Sequence, residues 1–385
     1  MEISSDVVYV GVNDKEIDLF EGLYQVPNGV SYNSYVILDE KVAVMDTVDV
    51  NFTEEWLENI KSVLQGRSPD YLIVQHMEPD HSASIADFMR KYSNTVLVAS
   101  AKAFAMMRGF FHKEYETRRK IVADGDSLFL GQHVLNFIAA PLVHWPEVMM
   151  TYDSYEKILF SADAFGTFGT LDTNQDWVDE ARRYYFGIVG KFGVPVQKLL
   201  KRASEFEIQM ICSLHGPVLK ENIGYYLNLY HSWASYQPED KGIVIAYASV
   251  YGNTKKAVEY LEEKLKEKGH SSITTIDLCR CDMSKAIAEA FRHGIIVLAS
   301  ITYNGVVFPP MREFLNNLTE RSFQNRTIAL IENGSWAPTA VNVMKKMLHD
   351  CKNIQWIEPM ITIYSTMNKK NTEELKELAD NLSSL

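Results

Sequence analysis

The chain has 385 residues, of which 46% are hydrophobic and 23% are charged, and its formal net charge at pH 7 is -12. This length exceeds what one ordinary hydrophobic core organises, so it predicts two domains. The acidic balance argues against nonspecific nucleic-acid binding, because that affinity depends on Lys and Arg releasing counterions from phosphates.

The N-terminal segment and the cysteines bear on location. The first residues lack a basic stretch followed by an apolar one, and no uninterrupted apolar run reaches the ~18–20 residues that span a bilayer. The sequence therefore predicts no membrane partner. The four cysteines form neither a C-x-x-C pair nor a disulfide framework for so long a chain, which favours reduced thiols in the cytoplasm.

The region up to residue 240 mixes strand and helix patterns. Apolar strand-like segments lie between segments of helical periodicity, which indicates sheet with interspersed helices, an α+β domain. Periodicity does not fix the order of the strands. The predicted strands are 34–38, 42–46, 71–75, 95–99, 135–139 and 157–161, and the predicted helices are 53–64, 82–91 and 194–205.

A polar, proline-containing break at 236–241 separates this region from a second one. We therefore expect one domain over 1–240 and another over 241–385. In the second, apolar strands alternate with helical segments, which is typical of β-α-β units and an α/β domain with a parallel sheet. The predicted segments are 243–248, 255–268, 273–278, 284–291, 294–299, 311–318, 327–332, 338–349 and 371–384.

Potential metal ligands are concentrated directly after the predicted strand 71–75. His76, Glu78, Asp80 and His81 lie within six residues. Alternate residues at a strand end can point to one side, so such a loop can supply ligands to two neighbouring metal ions. Solvated acids and a core histidine are the structural alternative for this segment.

Three more segments place a ligand-type residue at a strand end. His144 lies in a proline-flanked aromatic loop, Asp163 follows the strand 157–161, and His215 precedes a Gly-Pro turn. Each of them alone would be a packed or hydrogen-bonded residue. Together with the first cluster they favour a bimetallic site, because metalloenzymes collect ligands from several strand ends.

The first strand of the second domain leads into a segment typical of phosphate binding. The sequence Ser-Val-Tyr-Gly-Asn-Thr at 249–254 stands between strand 243–248 and helix 255–268. A helix N-terminus supplies backbone N–H groups, hydroxyls add donors, and the glycine permits unusual dihedrals. Two further loops, 300–305 and 333–336, follow strands at the same sheet edge, where ligands of doubly wound sheets bind. No G-x-G-x-x-G fingerprint of dinucleotide binding is present, so a mononucleotide is the predicted ligand.

The order H-x-E-x-D-H followed by His, Asp and His resembles the metallo-β-lactamase superfamily in its flavodiiron branch. The resemblance implies a metallo-β-lactamase-like αββα sandwich followed by a flavodoxin-like doubly wound parallel sheet. Glu78 stands where zinc hydrolases of that superfamily usually carry histidine, and a carboxylate favours iron. By position, the resemblance assigns one iron to His76, Glu78 and His144, the other to Asp80, His81 and His215, and the bridge to Asp163.

The same resemblance extends to the flavin loops and to an aromatic pair. The segment Thr302-Tyr303-Asn304-Gly305 is similar to the family loop around the isoalloxazine ring, whereas 333–336 departs from the familiar pattern. Tyr184 and Tyr185 resemble aromatic residues near the family's iron pocket, with a packing role as the alternative. The flavin-binding residues it implies are Ser249, Val250, Tyr251, Gly252, Asn253, Thr254, Ser300, Ile301, Thr302, Tyr303, Asn304, Gly305, Asn333, Gly334, Ser335 and Trp336.

The function implied is an oxidoreductase that reduces dioxygen to water, nitric oxide to nitrous oxide, or both, with FMN and two iron ions. Electrons are expected from a separate donor such as rubredoxin or a reduced deazaflavin. The family also implies a head-to-tail homodimer, with a dimer of dimers as a further assembly. Two alternatives stay open: a zinc-dependent hydrolase with a regulatory flavodoxin module, and a non-enzymatic electron carrier or redox sensor with a vestigial metal site.

Overall fold

The computed structural model describes residues 1–113 and 115–385. Its internal contacts divide the chain into two compact units, Met1–His231 and Ser232–Leu385. The domain boundary predicted between residues 240 and 241 falls inside the second unit. Within the described residues, no helix is long and apolar enough to cross a bilayer.

The first unit contains two large sheets and two short two-stranded ones. The large sheets have the strand orders β1-β6-β7-β8-β9-β10 and β11-β12-β13-β14-β15. The strands are β1 (Val7–Tyr9), β2 (Val12–Asp14), β3 (Leu19–Phe20), β4 (Tyr24–Gln25), β5 (Val30–Tyr32), β6 (Tyr35–Leu38), β7 (Val42–Met45), β8 (Tyr71–Val74), β9 (Val96–Ser100), β10 (Arg119–Val122), β11 (Ser127–Phe129), β12 (Val134–Ala139), β13 (Met149–Asp153), β14 (Ile158–Phe160) and β15 (Met210–Cys212).

Helices flank these sheets. The predicted helix over 82–91 is wrong at its start, because the chain forms a short helix at the candidate ligands and then begins a second one at Ile85. The helices are α1 (Thr53–Leu64), α2 (Pro79–Ser82), α3 (Ile85–Lys91), α4 (Ala101–Phe111), α5 (Trp177–Tyr184), α6 (Gly193–Ala203) and α7 (Ile223–Ala234), with a π-helical turn at Tyr185–Val189.

Strand alternation gives the first unit two core layers. Val36, Val44 and Leu72 pack in one cluster with helix residues such as Trp56 and Phe88. Their neighbours in sequence, among them Ile37, Met45 and Ile73, point the other way and pack with Phe137 and Phe160 of the second sheet. Successive side chains of a strand face opposite sides, so one sheet contacts helices on one face and the other sheet on the other. This is the predicted sandwich.

The second unit is built on a parallel sheet of order β17-β16-β18-β20-β21. Non-consecutive neighbours in this order mean helical crossovers, as in a doubly wound fold. Its elements are β16 (Asp240–Ala248), α8 (Asn253–Glu267), β17 (Ile273–Asp277), α9 (Met283–Arg292), β18 (His293–Tyr303), β19 (Val306–Val307), α10 (Pro309–Glu320), β20 (Arg326–Asn333), α11 (Ala340–Met347), β21 (Ile354–Ile363) and α12 (Lys369–Ser383).

Central strands of this sheet are buried on both faces. Ile245 and Val297 pack against Val258 of α8 and Leu378 of α12 on one side. The predicted strand 294–299 ends too early, because β18 continues to Tyr303 and pairs with β19 in a hairpin. The loop predicted at 300–305 is therefore largely strand and hairpin turn.

Candidate functional site

Four predicted ligands meet in one group. Two of them follow β8, and the other two lie in the loops after β12 and β14. His76, Glu78, His144 and Asp163 each offer a ligand atom, and these atoms lie within 4.8 Å of one another. The Oε2 of Glu78 is 3.2 Å from Nε2 of His76 and 3.0 Å from Nε2 of His144. Imidazole nitrogen and carboxylate oxygen at such spacing can share one metal ion.

A second group gathers Asp80, His81 and His215, again with ligand atoms within 4.8 Å. The Oδ2 of Asp80 is 3.2 Å from Nε2 of His81 and 3.3 Å from Nε2 of His215. The helix α2 begins at Pro79 directly after Glu78 and carries Asp80 and His81. His215 is placed by the loop after β15.

Asp163 faces both groups with different oxygens. Its Oδ2 lies 3.2 Å from Nε2 of His76 and 3.0 Å from Nε2 of His144. Its Oδ1 lies 3.4 Å from Nε2 of His81 and 3.8 Å from Nε2 of His215. A carboxylate in this position can bridge two ions.

Partners outside the groups fix two of the imidazole rings. The Nδ1 of His76 is 2.9 Å from Oε1 of Glu147, which also accepts a hydrogen bond from the backbone N–H of Met77. The Nδ1 of His215 is 2.8 Å from the carbonyl oxygen of Ser31. A donor bond at Nδ1 directs the Nε2 lone pair toward the site and raises its basicity as a ligand. The sequence prediction missed Glu147, although it lies three residues after His144.

A buried aspartate holds the strand end that carries the first ligand. Asp46 accepts hydrogen bonds from the backbone N–H of Gln75 at 2.7 Å and from its side-chain amide at 2.8 Å. Burial raises the pKa of Asp46 to about 6. The neighbouring Thr47 donates to the carbonyl of His81 at 2.7 Å. These bonds position the loop that carries the candidate ligands.

The electrostatics of the two ligand groups favour bound cations. Although burial opposes charging, hydrogen bonds and opposite charges raise the pKa of His144 to about 9 and lower that of Glu78 to about 2. Both carboxylate oxygens of Asp80 and the Oδ1 of Asp163 are buried with no hydrogen-bond partner among the described residues. Unpaired buried carboxylate oxygens are costly. The donor set therefore fits two cations, which the imidazoles and carboxylates would hold.

The two tyrosines of the predicted aromatic pair lie in different environments. Tyr184 is buried, and its ring lies 5.5 Å from that of His215 and 5.1 Å from that of Phe168. Tyr185 points into a different cluster, with its ring 5.1 Å from those of Phe186 and Tyr230. Of the two tyrosines, Tyr184 adjoins the candidate ligand His215.

The second unit contains a cleft of about 450 Å³ that joins the three predicted flavin loops. It lies beyond the carboxyl ends of β16, β18 and β20, as expected for a doubly wound sheet. Of the predicted residues, Gly252 and Ser300 are not among those lining it, while Ala337, Thr339 and Ser365 are additional. Predicted residues that line it are Ser249, Val250, Tyr251, Asn253, Thr254, Ile301, Thr302, Tyr303, Asn304, Gly305, Asn333, Gly334, Ser335 and Trp336.

The phosphate-type loop leads into the N-terminus of α8. The Oγ of Ser249 accepts from the N–H of Gly252 at 3.2 Å, and Gly252 adopts a φ of 87°, which favours glycine. The hydroxyl of Thr254 is buried and has no hydrogen-bond partner among the described residues. An anion at this helix end would meet free N–H groups and that hydroxyl. FMN carries such a phosphate, so the residues fit it.

The other two loops are each held by hydrogen bonds beside the cleft. The Oγ1 of Thr302 accepts from the N–H of Thr339 at 2.8 Å and from that of Ala340 at 3.1 Å. Asn333 donates to the carbonyl of Ser365 at 3.1 Å. Trp336 has 89% of its surface exposed, so it stands at the rim and not in a core.

Comparisons with known proteins agree with this arrangement. Residues 30–216 match the family described as ODP family beta lactamase. The anaerobic nitric oxide reductase flavorubredoxin of Vibrio vulnificus (strain YJ016) is 30% identical over 362 residues, which cover 91% of this chain and 73% of that protein.

Solved structures are similar over the full length. The flavodiiron protein from Giardia intestinalis has a TM-score of 0.92 at 27% identity and covers 100% of this chain and 95% of its own. The rubredoxin oxygen:oxidoreductase from Desulfovibrio gigas has a TM-score of 0.91, covers 100% and 98%, and at 23% identity is evidence of the fold alone. The chain belongs to the flavodiiron protein family, which confirms the resemblance and the fold class predicted from the sequence.

Proposed function

We propose that this protein is an oxidoreductase that uses FMN and a two-iron centre to reduce dioxygen to water, nitric oxide to nitrous oxide, or both. The observation that carries the proposal is the pair of ligand groups joined by Asp163, in a chain that also has a mononucleotide-type cleft. The relative at 30% identity is named for the reduction of nitric oxide. The zinc hydrolase alternative is not favoured, because that relative is named as a reductase.

The metal ligands in this proposal are those that the two groups and the bridge supply. His76, Glu78 and His144 would hold one iron, and Asp80, His81 and His215 the other, with Asp163 between them. The mixture of carboxylate and imidazole supports iron over zinc. The short distances from Nε2 of His81 to Asp80 and His215 support His81 as a ligand.

FMN would bind in the cleft of the second unit, with its phosphate at the loop before α8 and its ring between the other two loops. Thr254 and Ser249 would contact the phosphate, and backbone groups of Thr302 to Gly305 would meet the polar edge of the ring. When bound, FMN accepts two electrons and releases them singly, and the iron pair binds a small diatomic molecule.

The residues around the ligand groups keep water out on most sides. His76, His81 and His215 have no exposed surface, and the rings of Tyr184 and Phe20 pack against His215. The side chains of Glu78 and Asp80 keep 14% and 13% exposure, so a small molecule would approach there. Asp163 would hold the two ions close enough for one dioxygen or two nitric oxide molecules to contact both.

Electrons would come from a rubredoxin-type protein or from a reduced deazaflavin. We also propose a head-to-tail homodimer, with a dimer of dimers as a further assembly. The exposed rings of Tyr251 and Trp336 at the cleft rim support an interface there, since large exposed aromatics mark contact surfaces. A cytoplasmic location is supported by the free state of the four cysteines.

The test is metal and flavin analysis of the purified protein, followed by anaerobic reduction and separate addition of each gas. We expect iron and FMN, and reoxidation of the flavin by dioxygen, nitric oxide or both. Zinc in place of iron, with no consumption of either gas after reconstitution with iron, would contradict the proposal.

A further inference from the structure

A third cluster of ligand-type side chains lies in the first unit, away from the seven candidate iron ligands. It comprises Asp6, His133 and Glu156, whose ligand atoms lie within 4.8 Å of one another. Asp6 precedes β1, His133 precedes β12, and Glu156 lies in the turn between β13 and β14. The three residues therefore join the N-terminal edge of one sheet to two hairpin turns of the other.

His133 is held as a metal-binding histidine would be. Its side chain has 1% exposure, and its Nδ1 is 2.7 Å from Oδ2 of Asp153, which is fully buried. The backbone N–H of Tyr155 donates to the other oxygen of Asp153 at 3.1 Å, and the ring of Tyr155 packs on His133 at 4.9 Å. A carboxylate on Nδ1 fixes the ring and leaves the Nε2 lone pair directed at the cluster.

When the His133 ring is neutral and its Nδ1–H donates to Asp153, the Nε2 of His133 faces the two carboxylates as a further acceptor. The Nε2 of His133 and the Oε2 of Glu156 are buried with no hydrogen-bond partner among the described residues. The Nε2 of His133 is 3.6 Å from Oδ2 of Asp6, which is beyond hydrogen-bonding range. Buried acceptors that converge without a donor are unfavourable unless a cation lies between them.

The spacing matches that of two ligands on one ion. Zinc–nitrogen and zinc–oxygen bonds of about 2.1 Å at a tetrahedral angle place the two atoms roughly 3.4 Å apart. The corresponding separations in the second candidate iron group, from Asp80 to His81 and His215, are 3.2 and 3.3 Å. Asp6 keeps 34% of its side chain exposed, so water can complete the coordination and an ion can enter from solvent.

We propose that Asp6, His133 and Glu156 form a third divalent-metal site, of the zinc class, that links the two sheets of the first unit. One imidazole and two carboxylates suit a borderline transition-metal ion, with water in the remaining position. Asp153 is a positioning residue that holds the His133 ring. The site involves none of the candidate iron ligands, so its occupancy is separable from that of the iron centre.

The experiment titrates Zn²⁺ into iron-loaded protein, in competition with a chromophoric chelator, while iron content is measured in the same samples. Wild-type protein is expected to bind one further zinc per chain with its iron retained. Glu156→Gln and Asp6→Asn keep the side-chain shapes, and each is expected to lower the affinity for that zinc ion at least tenfold. Asp153→Asn is expected to weaken it about 10- to 100-fold. Glu58→Gln, an exposed change on α1, is the matched control and is expected to bind zinc as wild type does.

A second readout is thermal unfolding with and without zinc. Added zinc is expected to raise the unfolding temperature of the wild type and of Glu58→Gln, but not that of Glu156→Gln, because only the folded site binds the ion. Anomalous scattering at the zinc edge is expected to place the ion beside His133. The proposal is overturned if iron-loaded wild type takes up no further zinc, or if Glu156→Gln takes it up with unchanged affinity.

Discussion

The Oε1 of Glu147 lies 2.9 Å from the Nδ1 of His76 and fixes the ring of that candidate iron ligand. Both side chains are fully buried, so water does not replace this bond when it is broken. The acid would therefore act on a bound metal ion through the imidazole, without belonging to either ligand group.

Glu147→Gln is expected to weaken iron binding about 10- to 100-fold at the His76 group, because the loss of such a partner lowers ligand basicity. FMN content should not change. Iron content after dialysis against a graded series of chelator concentrations measures the effect. The exposed Glu58→Gln serves as control, and equal iron retention in both variants would contradict the role given to Glu147.

Asp163→Ala is expected to remove most of the bound iron, or at least the magnetic coupling between the two ions, because each oxygen of Asp163 faces one ligand group. FMN should stay bound at wild-type stoichiometry. Elemental analysis combined with electron paramagnetic resonance of the half-reduced protein measures both. A variant that keeps a coupled pair of irons would show that Asp163 is no bridge.

Thr254→Val removes the buried hydroxyl at the start of α8 and keeps the side-chain shape. A hydrogen bond to a charged phosphate contributes about 1.5–3 kcal/mol, so FMN should bind roughly 10- to 150-fold more weakly. Iron should be retained. Fluorescence titration of the apo-flavin protein with FMN and with riboflavin tests this, because only the phosphate-bearing flavin should lose affinity.

Asp240→Asn tests a buried histidine in the second unit. Asp240 binds the Nδ1 of His293 at 2.6 Å and the Nε of Arg292 at 3.2 Å. Although burial opposes it, the hydrogen bond from His293 lowers the pKa of Asp240 below its ordinary value. The variant should lose about 1–2 kcal/mol of unfolding free energy at neutral pH.

That loss should depend on pH with a defined sign. An acid whose pKa is lower in the folded state than in the unfolded state stabilises the fold above its unfolded-state pKa of about 4. This stabilisation disappears as the pH falls through the folded-state pKa. The difference between wild type and variant should thus be constant near neutrality and shrink below about pH 4. Urea denaturation at several pH values measures it, with the exposed Asp350→Asn as control. A difference in unfolding free energy that grows as the pH falls would contradict this prediction.

The sequence indicated the candidate ligand residues because their chemistry is local, and the structure gathers them into two groups. His76, Glu78, Asp80 and His81 stand together after an apolar strand, and their types alone suggest metal. Glu147 and Asp46 could not be found in this way. Each acts through a contact between distant segments, and an isolated acid has the same appearance in sequence whether it is buried or exposed.

Some strands of the fold were not predicted correctly from the sequence. Strand β21 was missed because Pro359 interrupts its apolar pattern, and proline is poorly tolerated in central strands. The structure places β21 at the edge of the sheet, where a missing N–H does no harm, and shows a register shift between Ala329 and Ile331 of β20. Likewise β18 extends past its predicted end, because pairing with β19 depends on the hairpin and not on hydrophobic periodicity.

All candidate iron ligands precede residue 216, and the cleft begins at Ser249. On the ribosome the polypeptide emerges from its N-terminus, and domains generally fold as units in that order. A nascent chain thus holds every side chain needed to capture metal before the phosphate loop has been synthesised. Maturation in the cell should accordingly begin with metal binding and finish with flavin binding. Cells grown in a medium short of riboflavin should therefore accumulate protein that contains metal but lacks the flavin absorption bands.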